Sequence, residues 1–141
     1  MAPPEEGSGL LDTSTLILLN RLTVTKNLPA APLISTITLA ELSVGPLVAN
    51  TQAERSARQA HLQQAEADFD PIPLDAAAAR AFGGVAASLR RAGRKTSARA
   101  FDAMIAAVAI ANDLPIHTCN PGDFHGIKDL KVVPIPHPDK G

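Results

Sequence analysis

The stretch GLLDTSTLI, residues 9–17, passes from a short apolar run to a row of hydroxyl side chains. The apolar part predicts a strand that ends within GLLDT, and the residues after it predict a helix over about 14–22. Asp12 stands at the junction of the two and is followed directly by three hydroxyl residues. An aspartate in that position is either a helix cap or a ligand.

Strand-like and helix-like segments alternate along the rest of the chain. The later predicted strands are PLISTIT (32–38), PIPL (71–74), PIHTCN (115–120) and LKVVPI (130–135). The predicted helices cover about 39–48, 51–68, 76–92 and 96–113. Asp75 is the expected cap of the third of these helices, and Gly93 is its expected end. Such alternation is typical of βαβ units, so it predicts an α/β domain with a parallel sheet.

Length and composition limit the classes of protein to which the chain can belong. Its 141 residues and 45% apolar content suit one domain, and we expect residues 1–141 to form it, with loose ends at about 1–8 and 137–141. The formal charge of -1 argues against a global basic field, so any polyanion site must be local. An aromatic content of 3% argues against binding through stacked aromatic platforms.

The cysteine and histidine residues exclude further kinds of site. A single cysteine, Cys119, rules out an internal disulfide framework and a Cys-rich zinc site, which suits a reducing compartment. The histidines show no pair at three or four residues' separation, so a helical zinc site is not expected. The sequence shows no export signal and no membrane-spanning run, and the expected location is the cytoplasm.

Four acidic residues are predicted to meet at one edge of the sheet. Asp12 ends the first strand, Glu41 lies just past the second, Asp102 is in the first turns of the helix that leads into the fourth, and Asp123 follows the fourth. Because parallel sheets bind ligands at the carboxyl ends of their strands, these carboxylates are expected to converge. Hard divalent cations take oxygen ligands of this kind and complete their coordination shell with water.

Three of these acids also have an ordinary structural interpretation. Asp12 would cap the first helix, and Asp123, within NPGDFHG, would be a turn residue. Glu41 ends the motif TLAE (38–41), which matches a capping box in which Thr38 and Glu41 satisfy each other's backbone donors. At this point the cap and ligand interpretations of Glu41 both stand.

Asp102 is the hardest of the four to explain structurally. It lies in ARAFDAMIAAVAIA, where most neighbours are apolar. Burying an unpaired carboxylate costs several kcal/mol, so the group must be paired, protonated or bound to a metal. Arg99, three residues earlier on the same helical face, offers an intrahelical ion pair as the structural alternative.

Several stretches together resemble the signatures of a known family. LLDTSTLI, ISTITLAELSVG, RAFDAMIAAVAIANDLPIHTCNPGDF and KVVPI are similar, in that order, to those of PIN-domain ribonucleases, particularly the VapC-type toxins of bacterial toxin–antitoxin pairs. The resemblance covers about residues 10–135. It implies a three-layer α/β/α sandwich with a central, mainly parallel sheet, a Mg²⁺ or Mn²⁺ centre held by an acidic quartet, and cleavage of RNA.

The resemblance also implies roles for the four acids. Asp12, Glu41 and Asp102 fall on the family's acidic positions. Where many PIN domains have an acid directly after the threonine-containing strand, this sequence has Asn120, with Asp123 three residues on. We expect Asp12 and Asp102 to be the main metal ligands, with Glu41 and Asp123 completing the shell directly or through water. One of these carboxylates would help to deprotonate the attacking water, and Asn120 would orient substrate or water.

Other residues are candidates for contact with the substrate. Thr13 and Ser14 are expected to donate hydrogen bonds to the carboxylates or to an RNA phosphate, with helix capping as the alternative. The stretch RRAGRKTSAR (90–99), which ends at Arg99, forms a local basic patch suited to phosphate contact. Its alternative is an ordinary solvated helix end with cations near the C-terminus.

Similarity to toxin–antitoxin nucleases further implies a protein partner. A cognate antitoxin would insert an amphipathic helix beside the apolar residues of LAELSVGPLVAN, namely Leu42, Val44, Leu47 and Val48. The alternative is that these residues belong to the core. The antitoxin would also place a basic side chain among the carboxylates, and the toxin itself would form a homodimer.

Three other functions are compatible with parts of the pattern. A phosphatase of the haloacid-dehalogenase type also begins with an aspartate after a strand, but it requires a second aspartate where this chain has Ser14. A non-catalytic, PIN-like binding domain is favoured only by the departure at Asn120. A nuclease that cleaves DNA rather than RNA has the same acidic residues.

Overall fold

The computed structural model describes residues 7–23 and 25–139. Its strands are β1 (Ser8–Leu11), β2 (Ala31–Leu33), β3 (Ile116–Thr118) and β4 (Val132–Pro134). Its α-helices are α1 (Thr13–Leu18), α2 (Thr36–Val44), α3 (Gln52–Asp68), α4 (Ala76–Arg91) and α5 (Ala100–Ala111). Short 3-10 turns lie at Leu19–Arg21, Gly45–Val48, Ser97–Arg99 and Pro121–Phe124.

The sheet is parallel throughout and has the order β2-β1-β3-β4. In its middle, Leu10 of β1 is in register with Leu33 of β2 and with Ile116 of β3. Parallel neighbours require crossover connections. Helices supply those between β1, β2 and β3, and the segment with the 3-10 turn Pro121–Phe124 connects β3 to β4. The carboxyl ends of all four strands therefore lie at one edge, as the sequence pattern predicts.

Two apolar cores lie on opposite faces of this sheet. Leu10 packs with α4 and α5, whereas Leu11 packs with Leu42 of α2 and Ala65 of α3. Successive residues of a strand point to opposite faces, so the two neighbouring leucines, both fully buried, anchor the two helical layers. The predicted α/β/α sandwich with a parallel central sheet is confirmed.

Several predicted helices and helix caps are confirmed. The helix predicted at 51–68 is α3, most of which is exposed. Asp75 caps α4 by accepting a hydrogen bond from the Ala78 amide at 3.0 Å, and Gly93 follows the helix with a φ of +73°, a left-handed conformation that favours glycine. Within the described part of the chain, no helix combines the length and the hydropathy of a membrane span.

Other boundaries differ from the predictions. The strand predicted over 32–38 ends at Leu33, because the Ser35 side chain accepts a hydrogen bond from the Thr38 amide and starts α2 at Thr36. The segment PIPL forms a single bridge, between Ile72 and Ser35, instead of a strand of the sheet. Among the predicted loose ends, residues 1–6 and 140–141 lie outside the described residues, and Ser8 belongs to β1.

Candidate functional site

Asp12 occupies the turn between β1 and α1, where both cap and ligand were expected. It stands at the N-cap position, but its side chain makes no capping hydrogen bond. Instead its Oδ2 accepts hydrogen bonds from Thr118 Oγ1 at 3.0 Å and from Ser14 Oγ at 3.2 Å. The residue is only 2% exposed. The side-chain cap interpretation is therefore wrong, and the carboxylate is held at the edge of the sheet by hydroxyls.

The other oxygen of Asp12 lacks a protein partner. Oδ1 is buried and accepts no hydrogen bond from any described residue. Burial raises the pKa of the Asp12 carboxyl, while the hydroxyls of Thr15, Thr118 and Ser14 act in the opposite direction. An unpartnered buried oxygen is costly, and a cation at Oδ1 would remove that cost.

Glu41 lies on α2 and faces the same edge. Its Oε1 accepts a hydrogen bond from Thr13 Oγ1 at 2.7 Å. The capping-box interpretation is wrong, because Ser35 is the cap of α2 and Glu41 lies well inside that helix. Partial burial raises the pKa of the Glu41 carboxyl; the Thr13 hydrogen bond lowers it, and the charge of Asp12 raises it further.

Asp102 lies in the first turn of α5. Its pKa is raised to about 6, first by burial and then by the negative charges of Asp123, Asp12 and Glu41, while the charge of Arg99 opposes the rise. Mutual influence of this kind requires proximity, so all four predicted acids converge on one region.

Arg99 does not form the intrahelical ion pair with Asp102 that its spacing suggested. Its Nη1 lies 2.8 Å from Asp123 Oδ1, and both side chains are partly exposed. Asp123 is therefore more than a turn residue, since it carries a salt bridge at the rim of the acidic cluster. The pair connects the turn before α5 to the turn after β3.

Asn120 belongs to the hydroxyl network around Asp12. Its Nδ2 donates to Ser14 Oγ at 3.0 Å, and its backbone amide donates to Thr118 Oγ1 at 2.9 Å. Thr15, which is fully buried, accepts a hydrogen bond from the Cys119 amide at 2.9 Å. Thr118 and Thr15 were not singled out from the sequence. The available signal was that Thr118 lies near the carboxyl end of the predicted strand PIHTCN (115–120), where ligands of a parallel sheet bind.

The basic side chains of the stretch 90–99 differ in exposure and in hydrogen bonding. Arg90, Arg91 and Lys95 are exposed, and Arg91 Nη2 donates to Ser88 Oγ at 3.4 Å. Arg94 Nη1 donates to the backbone oxygen of His125 at 2.7 Å, so this cation helps to hold the turn after β3. Three exposed cations remain for contact with a polyanion.

The predicted partner-binding residues fall into two groups. Leu42 is 5% exposed and belongs to the core, so it is not part of an open surface. Val44, Leu47 and Val48 are exposed, with Leu47 at 78%. A cavity of about 290 Å³ lies between α1, α2 and α3; its lining includes Thr13, Ile17, Glu41, Leu42, Gly45, Arg58 and His61, and none of the three exposed residues.

The acidic cluster has the donor chemistry of a divalent-cation site. Among residues 7–23 and 25–139, no three His, Cys, Asp or Glu side chains are grouped so that together they could hold a metal ion. The unpartnered Oδ1 of Asp12 and the raised pKa values of three neighbouring carboxyls nevertheless fit a hard cation, which takes carboxylate oxygens and fills its remaining positions with water. Asp12, Glu41 and Asp102 are the candidate ligands, since burial and neighbouring negative charge raise the pKa of each.

Comparison with known proteins gives the family of the chain. The model of a family described as PIN domain matches residues 10–129. Ribonuclease VapC8 of Mycobacterium tuberculosis is 37% identical over 109 residues, which cover 77% of this chain and 96% of that protein. Ribonuclease VapC5 of the same organism is 37% identical over 130 residues, 91% of this chain and 93% of that protein. The crystal structure of VapBC-5, a toxin–antitoxin system of M. tuberculosis, superposes with a TM-score of 0.77 at 32% identity, covering 92% of this chain and 99% of that chain.

Proposed function

This chain belongs to the PIN-domain family, and from that premise we propose that it is an endoribonuclease toxin that requires Mg²⁺ or Mn²⁺ and is neutralised by a cognate antitoxin. Relatives named as ribonucleases, matched over almost their whole length, support the activity. The observation that carries the metal requirement is the buried, unpartnered Oδ1 of Asp12 within a cluster of acids.

The four acids would have two roles, as ligands of the cation and as the base that deprotonates the attacking water. A bound divalent cation supplies charge neutralisation for the phosphodiester and lowers the pKa of water towards neutrality. Asp12 and Asp102 would hold it, with Glu41 and Asp123 as further ligands, directly or through water. One carboxylate would take a proton from the attacking water. Attack at phosphorus would break the bond to the 3′ oxygen, which takes a proton from solvent, so that the products carry a 3′-hydroxyl and a 5′-phosphate.

The hydrogen bonds of Thr13 and Ser14 support a role in positioning the carboxylates and argue against direct contact with an RNA phosphate. A hydroxyl has one proton to donate, and those of Thr13 and Ser14 point to Glu41 and Asp12. Ser14 stands where a haloacid-dehalogenase phosphatase has its second aspartate, and it supports a carboxylate there instead. RNA phosphates would be held by the exposed cations of the 90–95 stretch, with Arg99 and Asn120 at the edge of the acidic cluster.

Two features support an antitoxin as the partner. The VapBC-5 structure is that of a toxin–antitoxin system, and it covers nearly the whole of this chain at 32% identity. In addition, Val44, Leu47 and Val48 are exposed at the end of α2 and in the turn after it, and a cavity between α1, α2 and α3 reaches Glu41. An amphipathic helix would cover these side chains, and a basic residue next to it would pair with the carboxylates. We propose a homodimer as the state of the toxin.

RNA cleavage by the purified protein tests the function directly. Total RNA is incubated with the protein and Mg²⁺, Mn²⁺ or EDTA, and the new ends are mapped, with Asp102→Asn as the matched inactive control. We expect metal-dependent fragments with 3′-hydroxyl and 5′-phosphate ends from the wild type alone. Cleavage of single-stranded DNA but not RNA would establish the alternative substrate, and no cleavage of either by metal-loaded protein would indicate a non-catalytic binding domain.

A further inference from the structure

Two threonine hydroxyls form a chain of hydrogen bonds that runs from the buried Thr38 through Thr13 to the carboxylate of Glu41. Thr13 Oγ1 lies 2.7 Å from Glu41 Oε1 and 2.9 Å from Thr38 Oγ1. Thr38 is fully buried, whereas Thr13 and Glu41 are only partly so. The two hydroxyls thus connect the core to the candidate cation site.

The number of protons fixes the direction of this chain of hydrogen bonds. Each hydroxyl has one proton to donate, and an ionised carboxylate can only accept. If Thr13 gives its proton to Glu41, its contact with Thr38 requires Thr38 to be the donor. The reverse direction would deprive Glu41 Oε1 of the one hydrogen bond it accepts from the described residues.

Thr38 is itself rigidly placed. Its amide donates to Ser35 Oγ at 3.4 Å in the first turn of α2, and its side chain is enclosed by the core. Thr13 is the first residue of α1, directly after Asp12. Glu41 has a long side chain with several rotatable bonds, so a fixed donor at Oε1 selects among its rotamers.

We propose that Thr38 is a positioning residue that acts through Thr13 to hold Glu41 in the orientation required for the cation. This inference rests on the proposed function, because it concerns the same acidic cluster. These two hydrogen bonds, from Thr38 to Thr13 and from Thr13 to Glu41, form a relay that orients the carboxylate before any cation binds. A hydrogen-bonded partner behind a metal ligand raises metal affinity in this way.

The test compares two substitutions at Thr38 with one at Thr36. Thr38→Val keeps the shape of the side chain and removes the hydroxyl, whereas Thr38→Ser keeps the hydroxyl. Thr36→Val is the matched control, since the Thr36 hydroxyl lies in the same turn of α2 but accepts from the Leu74 amide, away from the carboxylates. The measurements are the Mn²⁺ dissociation constant by calorimetry without RNA, and kcat and KM for RNA cleavage.

Thr38→Val is expected to weaken Mn²⁺ binding at least about tenfold and to lower kcat similarly while KM for RNA changes little. Thr38→Ser is expected to stay near wild type in both measurements, and Thr36→Val to lose thermal stability only. If Thr38→Val does not fold, Thr13→Val removes the middle hydroxyl of the relay at a less buried position, with the same expected losses.

Two results would overturn the relay. One is wild-type Mn²⁺ affinity in the folded Val variant at either threonine; the other is a Thr38→Ser variant as impaired as Thr38→Val. In both cases Mn²⁺-dependent cleavage by the wild type would leave the proposed function standing. A wild-type protein that binds no Mn²⁺ would overturn both, whereas Mn²⁺ binding without RNA cleavage would reject only the nuclease.

Discussion

Arg99 Nη1 lies 2.8 Å from Asp123 Oδ1, although Asp102 is the acid at helical spacing from this arginine. The pair is partly exposed, so it stabilises the fold by at most about 1 kcal/mol. Its larger effect is electrostatic. Because the arginine is engaged by Asp123, it only partly offsets the burial and the three negative charges that raise the pKa of Asp102 to about 6. The cluster thus keeps an excess of negative charge for a cation.

Substitution of either proposed main metal ligand, Asp12 or Asp102, is expected to abolish activity without lowering the stability of the fold. Asp12→Asn and Asp102→Asn should abolish metal-dependent RNA cleavage, while the metal-free variants melt at or above the wild-type temperature because repulsion and burial of charge are relieved. Cleavage assays and thermal melts measure the two effects, with the exposed Asp70→Asn as control. A variant that melts far below wild type yet keeps its specific activity would show that these acids are structural.

Glu41→Gln tests a carboxylate whose structural role is small. The amide oxygen of glutamine still accepts the Thr13 hydrogen bond, so the free energy of unfolding should change by less than about 0.5 kcal/mol. The cleavage rate should fall by orders of magnitude, because the charge that serves the cation is lost. Urea unfolding and single-turnover cleavage give the two values. Near-wild-type turnover would remove Glu41 from the reactive centre.

The metal-free protein is expected to lose stability as the pH rises from about 4 to 6. Asp102 titrates near 3.8 when unfolded and at about 6 when folded, so in this window the folded state binds more protons than the unfolded state. The raised pKa values of Asp12 and Glu41 act with the same sign. Urea unfolding in EDTA at several pH values measures the slope, which Asp102→Asn should flatten. An equal slope in the two proteins would contradict the assignment.

Two glycines should respond oppositely to alanine. A Cβ at Gly9 of β1 would lie 2.3 Å from Cδ2 of His117 and 2.9 Å from the Pro29 side chain, so Gly9→Ala should destabilise the protein by about 2 kcal/mol or more. Gly83, inside α4, has nothing within 4 Å of an added Cβ, and Gly83→Ala should stabilise it by about 0.5 to 1 kcal/mol. Denaturant midpoints measure both changes. Equal midpoints for Gly9→Ala and wild type would mean that β1 does not lie against His117.

Expression in a bacterial host tests the toxin. Growth arrest on induction is expected for the wild type, and Asp102→Asn should relieve it at the same level of folded protein. Co-expression of the cognate antitoxin should relieve it too. Unimpaired growth despite abundant wild-type protein that cleaves RNA in vitro would separate the nuclease from toxicity.

Much of the fold follows from local sequence signals. The capping aspartate Asp75, the glycine after α4 and the apolar run of α5 each mark a boundary or a face, and all appear in the structure. The boundary error at α2 has a specific cause. TLAE (38–41) matches a capping box, but Ser35 is three residues before Thr38 and takes the capping position first.

The hydrogen bonds from Thr13 and Ser14 to carboxylates could be predicted because both residues directly follow Asp12, but the more distant contacts within the site could not. The edge on which the acids meet follows from the parallel direction of the strands, whereas Thr118 reaches Asp12 across 106 residues and Thr38 reaches Thr13 across 25. Neither Thr118 nor Thr38 stands next to an acid in the sequence, so nothing local indicates what its hydroxyl contacts. Arg99 likewise pairs with Asp123 instead of Asp102 because the turns Ser97–Arg99 and Pro121–Phe124 lie close together in the fold.

The position of β1 in the sheet determines when, during synthesis of the chain, the acidic cluster can assemble. β1 leaves the ribosome first, yet one of its two neighbours is β3, and the Thr118 hydroxyl that holds Asp12 is synthesised more than a hundred residues later. A nascent chain cannot assemble the acidic cluster until α5 and β3 have emerged and docked, and pairings this distant form late in folding. The complete acidic cluster therefore cannot exist before β3 has been synthesised, and a chain that ends before β3 lacks the Thr118 hydroxyl that holds Asp12.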